Sequence, residues 1–128
     1  MPPGTSDVFL TVMQLLPIDG IVCVTSPQEL VEMIVGKAIN LAKMMNVDVV
    51  SLVENMSYFE CPDCGKKHEI YGKSSVEAAA KKYGIKVTDK IPIDAKFAQL
   101  SDAGKIYELE TKDLLENTAK YITKNNAK

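Results

Sequence analysis

Arginine and tryptophan are both missing from this chain of 128 residues, so its 15 basic side chains are all lysines. Without guanidinium groups the chain has no bidentate fork for guanine or phosphate and can supply no arginine finger. A formal net charge of −2 removes any general pull toward nucleic acid or anionic lipid. Neither a nucleic acid nor a membrane is therefore an expected partner. Apolar runs are short: none approaches the roughly 18 residues of a membrane span. Met1-Pro2-Pro3-Gly4 has neither the basic start nor the apolar core of a signal peptide, and a cytoplasmic location is expected. Cysteine is scarce, at 3 residues, two of them in Cys61-Pro62-Asp63-Cys64. An odd count in a reducing compartment points to metal or redox chemistry rather than a disulfide framework. What the chain does have is 46% hydrophobic residues, enough to exclude a disordered polypeptide and to build one core.

Those apolar residues alternate between strand-like and helix-like spacing. Residues 8–16 read as a short helix, capped by Thr5, Ser6 or Asp7 and closed by Pro17. Residues 20–25 form a continuous β-branched run, the pattern of a strand buried on both faces. Ser26-Pro27-Gln28-Glu29 then has the form of a capping box. It opens a long amphipathic helix with Ile34, Ala38, Leu41 and Met45 on one stripe. A second buried strand is predicted over 47–53. Residues 55–72 read as an irregular loop carrying the cysteine pair. Ser74-Ser75-Val76-Glu77 repeats the capping-box pattern for a helix that Gly84 ends. A third strand follows over 85–91, Asp94 caps a short helix broken by Gly104, and a last helix is predicted over 107–123. This alternation implies parallel crossovers in an open α/β sheet with flanking helices. Three strands make a small sheet for so apolar a set, so residues 1–128 are expected to form one partial domain of a larger sheet.

Three segments could carry chemistry. In Cys61-Pro62-Asp63-Cys64-Gly65 the spacing lets both thiolates reach one soft metal, and the glycine eases the turn. Zinc and 4Fe–4S sites want four ligands, so the pair needs completion. His68 could join it, Cys23 could join it from its strand, or a second copy could donate the same pair across a two-fold axis. A thioredoxin-type reading fits poorly, because that motif opens a helix after a strand. Upstream, Pro3, Gly4 and Thr5 lie just ahead of a helix, where backbone amides and a hydroxyl can meet a phosphate. Asn55 and Pro92-Ile93-Asp94 follow the second and third strands, at the carboxyl edge where α/β sheets collect ligands, and an amide there can read an adenine edge.

In order and spacing, these segments together with Thr25-Ser26-Pro27-Gln28-Glu29 and Val53-Glu54-Asn55-Met56-Ser57-Tyr58-Phe59 closely resemble the Mrp family of P-loop ATPases, relatives of MinD and ParA. The resemblance implies the C-terminal half of a P-loop NTPase fold. It implies an iron–sulfur cluster carrier that holds a 4Fe–4S cluster across a homodimer and delivers it to apo iron–sulfur proteins. Cys61 and Cys64 correspond to the cluster ligands. Pro3, Gly4 and Thr5 correspond to a switch segment at the γ-phosphate, and Asn55, Pro92, Ile93 and Asp94 to the adenine pocket. The family binds ATP with magnesium. No G-x-x-x-x-G-K-[ST] segment occurs in these 128 residues, however, so the chain alone is not expected to bind ATP tightly or hydrolyse it. Met1 matches an internal methionine of the family, so the sequence reads as a fragment or half of a split protein, with a separate N-terminal half as an expected partner. The alternative function is a zinc-stabilised dimerisation module that transfers no cluster, since four thiolates suit both metals.

Overall fold

The structure is a computed structural model that describes residues 7–111 and 113–126, with side chains at all of these except 29–32 and 126. Helix α1 (Asp7–Leu15) leads to strand β1 (Ile21–Thr25), helix α2 (Glu29–Met44) and strand β2 (Val49–Glu54). Two short strands follow, β3 (Phe59–Glu60) and β4 (Lys67–His68), then helix α3 (Val76–Tyr83) and strand β5 (Val87–Lys90). Helix α4 (Ala95–Asp102), a 3₁₀ turn (Ile106–Glu108) and helix α5 (Glu116–Asn126) complete the chain. The main sheet has the order β1-β2-β5 and is parallel throughout. This is the expected α/β fold with three parallel strands and flanking helices.

The sheet's two faces carry different chemistry because successive side chains alternate. Cys23 pairs in register with Leu52 and points to one face. There Ile39 of α2 and Val76, Ala79 and Ala80 of α3 close over them as a buried cluster. The two helices approach closely at Gly36, where an added Cβ would lie 2.2 Å from the Tyr83 hydroxyl oxygen; only a glycine accommodates that contact without displacing the ring. Phe9 and Met13 of α1 form a second cluster with Ala42.

On the opposite face α5 is tied down by polar groups. Asp89 accepts from the Asn117 amide (3.3 Å), the Thr118 amide (2.7 Å) and the Thr118 hydroxyl (2.6 Å). Because that hydroxyl spends its proton on Asp89, its contact with Ser51 Oγ at 2.6 Å must be accepted from Ser51. Here the last helix departs from expectation. It begins at Glu116 and not near residue 107, because its first-turn amides take their cap from a carboxylate 28 residues upstream.

Three further expectations change. The cap position of α2 is Gln28, not Ser26, and Gln28 makes no side-chain cap bond. Ser75 caps α3, also without a side-chain bond, whereas Asp94 does cap α4 by accepting from the Lys96 amide at 2.9 Å. Finally, β1 is not buried on both faces: Cys23 and Thr25 are, but Val22 and Val24 are 40% and 60% exposed. β1 is an edge strand, and α5 packs on β2 and β5.

Candidate metal centre

The segment read as an irregular loop over 55–72 contains a small antiparallel hairpin, and the cysteines sit at its tip. Phe59 pairs with His68 and Glu60 with Lys67. The hairpin loop is closed by the Cys61 amide donating to the Lys66 carbonyl and the Gly65 amide donating to the Cys61 carbonyl, both at 2.9 Å. Gly65 takes φ +70, a left-handed conformation that strains any residue with a Cβ. These two bonds fold the chain back over Cys61 and bring the Cys64 side chain within hydrogen-bond reach of it.

That folding also sets the thiol chemistry. The Cys64 amide, then the Asp63 amide, then the Cys64 thiol donate toward Cys61 and hold its thiol below the usual cysteine range. Donors aimed at a sulfur favour the thiolate, which is the metal-binding form. Cys61 is half-buried and Cys64 exposed, so both can be reached from outside. Cys23 differs on each count: it is buried in the core, and desolvation pushes its thiol up to about 11. His68 lies exposed on β4. Among the described residues no group of three or more His, Cys, Asp or Glu side chains is placed to hold a metal. Neither Cys23 nor His68 therefore completes a site around the pair.

The nucleotide-side candidates gather at the carboxyl edge of the same sheet. Asn55 directly follows β2, and its amide donates to the Thr25 carbonyl at 2.7 Å. Its side-chain oxygen accepts from the Met56 amide at 2.9 Å. The segment after β5 runs alongside: Ile91 donates to the Glu54 carbonyl (2.8 Å) and Ile93 to the Tyr58 carbonyl (2.7 Å). Asn55 and Pro92-Ile93-Asp94 are thus brought together, with Pro92 and Ile93 half-buried and Asp94 exposed. Pro3, Gly4 and Thr5 lie outside the described residues.

Sequence reasoning passed over Glu54 and Ser57. Both are buried, and the Ser57 hydroxyl donates to Glu54 Oε1 at 2.5 Å. The available signal was a carboxylate at the end of a strand that is otherwise apolar but for Ser51.

Residues 1–126 match the family of NUBPL iron-transfer P-loop NTPases within ParA. A protein of Pyrococcus horikoshii named iron-sulfur cluster carrier protein is 48% identical over 103 residues, 80% of this chain and 35% of that protein. The iron-sulfur cluster transfer protein NUBPL of Dictyostelium discoideum is 40% identical over 105 residues, 82% of this chain and 32% of that protein. Among solved structures, a nucleotide-binding protein of Archaeoglobus fulgidus, in complex with ADP and with cobalt found by PIXE, superposes with a TM-score of 0.76 at 42% identity. That superposition covers 90% of this chain and 48% of the other. The chain therefore spans about a third of the curated relatives it matches and about half of the solved one. With a match over nearly its whole length, the chain belongs to the NUBPL iron-transfer P-loop NTPases of the ParA group.

Proposed function

We propose that this chain is the cluster-holding part of an iron–sulfur carrier, with Cys61 and Cys64 binding a 4Fe–4S cluster as cargo together with the same pair from a second copy. The observation that carries this reading is the hairpin tip. Two reachable thiols share one turn, and no third ligand from the described residues stands beside them. A closed thiolate site needs four sulfurs, and a two-fold axis through the cluster supplies them without dismantling the core around Cys23. The amides aimed at Cys61 favour its thiolate form. The exposure of Cys64 leaves room for an incoming thiolate of an apo-protein to replace it, which is how a cluster is handed on by ligand exchange. Relatives named as cluster carriers or transfer proteins support the same reading.

The nucleotide contacts of this chain are Asn55, Pro92, Ile93 and Asp94 at the carboxyl edge on the base side, and Pro3, Gly4 and Thr5, read from sequence, on the phosphate side. Magnesium–ATP chemistry needs a phosphate cradle and its lysine, which no segment of these 128 residues supplies. Among the described residues no helix is long and apolar enough to cross a membrane.

Anaerobic reconstitution with iron and sulfide tests the proposal. The expected product is a brown dimer with broad absorption near about 400 nm, lost in Cys61→Ser and Cys64→Ser and kept in Cys23→Ala and His68→Ala. A colourless dimer with one zinc per two chains, or full occupancy in a monomer, would overturn it.

A further inference from the structure

Glu54 ends the central strand and is completely buried, at 0% exposure. Its Oε1 accepts from Ser57 (2.5 Å), which is itself 2% exposed, while its Oε2 is buried with no partner among the described residues. Between these two residues the chain turns through Asn55-Met56, and Met56 holds φ +53. The backbone is pinned on both sides of the turn, by Asn55 donating to Thr25 and by Ser57 donating to Ile91 at 3.0 Å. Cys61 follows Ser57 by only four positions. The hairpin it belongs to packs mainly on itself. A cleft of about 520 Å³, lined by Ser57, Lys67, His68, Ser74 and Lys90 among others, separates its base from the sheet edge. The hairpin is then oriented by the turn it springs from, by the Ile93 amide donating to the Tyr58 carbonyl at 2.7 Å just ahead of β3, and by the Lys67 ammonium 4.6 Å from the Tyr58 ring centroid.

A buried carboxylate with one idle oxygen is a poor filler; an apolar side chain of similar size carries no desolvation penalty. A residue with a Cβ in the left-handed region is a second local violation. Two such violations two positions apart, at Glu54 and Met56, mark a turn whose geometry is held for a purpose other than packing. We propose that Glu54 is a positioning residue for the cysteine pair: through Ser57 its carboxylate fixes the turn at Asn55-Met56 and so sets the direction in which the hairpin leaves the sheet. A metal shared between two copies needs each thiol pair held in one orientation. That purpose rests on the carrier reading; the positioning does not.

The test uses Ser57→Ala, Glu54→Ala and the isosteric Glu54→Gln, which keeps an acceptor for Ser57. In the metal-free protein, amide hydrogen exchange over residues 57–68 is expected to speed up at least about tenfold, equivalent to about 1.4 kcal/mol, in both alanine variants. Exchange in the β2 and β5 core should stay within about twofold, and Glu54→Gln should stay near the parent. Should Glu54→Ala not fold, Ser57→Ala and Glu54→Gln decide the matter. Unchanged hairpin exchange in Ser57→Ala, or a Glu54→Gln hairpin as loose as the alanine variants, overturns the proposal. A second arm measures cluster loss to a chelator, expected at least about tenfold faster in Ser57→Ala than in the parent or Glu54→Gln. A parent protein that takes up no cluster sinks the carrier reading, while the exchange result still decides the role of Glu54.

Discussion

Alkylation of the three cysteines in the native, metal-free protein should separate them sharply, because only the thiolate reacts. Burial pushes the Cys23 thiol up to about 11 from an ordinary 9.0. Two pH units reduce the thiolate about 100-fold at any pH well below both values, and at pH 7.5 leave roughly 0.03% ionised. Burial in the core blocks the reagent further. Cys61 moves the other way, held below the usual range first by the Cys64 amide, then by the Asp63 amide and the Cys64 thiol. Its rate should therefore reach half its plateau below the ordinary value of 9.0. The sign for metal uptake follows: a depressed thiol pKa raises the thiolate fraction at any pH below the ordinary value, and binding weakens as pH falls through that pKa. For Cys23, raised in the folded state, the preference for the neutral core thiol is complete below about 9 and fades as pH climbs toward 11. Cys64→Ala removes one of the three donors and should move the Cys61 titration part-way back up. Mass-resolved labelling with iodoacetamide across pH 6–10 reads all of this. Labelling of Cys23 at a rate within tenfold of Cys61 in the folded protein, or a Cys61 midpoint at or above 9.0, would refute the reasoning.

Asp89→Ala removes the cap of α5 and leaves the Asn117 and Thr118 amides and the Thr118 hydroxyl without their acceptor; a loss of about 3 kcal/mol and a fall in Tm of about 10 °C are expected in a thermal melt, and a loss under 1 kcal/mol counts against the assigned role. Gly65→Ala puts a Cβ on a residue at φ +70 in the hairpin loop, which costs about 1 kcal/mol; metal affinity by competition titration should fall roughly fivefold, and an unchanged affinity would show that the loop tolerates the strain. The open apolar face of edge strand β1, with Val22 and Val24 exposed, should drive concentration-dependent association that Val24→Lys suppresses; light scattering showing the same size for both proteins at all concentrations would contradict this.

Much of the backbone could be read from residue periodicity. The β-branched runs became β1, β2 and β5, and the 3.6-residue stripe became α2, because both patterns are local consequences of side-chain direction. Asp94 was legible as a cap since its acceptor serves an amide two residues on. The start of α5 was not, because its cap lies on another strand. The hairpin around Cys61 and Cys64 was missed for a related reason. Its strands are two residues each, too short for any alternation to register, and pairing across the turn defines them.

Two thiols at a two-residue spacing, no arginine, no phosphate cradle and an apolar pattern suited to a parallel sheet are all legible in the residues themselves. Identity and spacing along the chain suffice for these, since they are covalent facts. Only the tertiary structure decided which thiols are usable. Cys23 and Cys61 are the same residue in sequence, yet one is desolvated by Leu52, Val76 and their neighbours while the other meets the amides of Cys64 and Asp63. Tertiary structure also decided that Asn55 meets the segment after β5, and that Glu54 lies buried with Ser57 at the root of the hairpin. Burial and hydrogen-bond direction belong to the space between elements, and no local pattern encodes them.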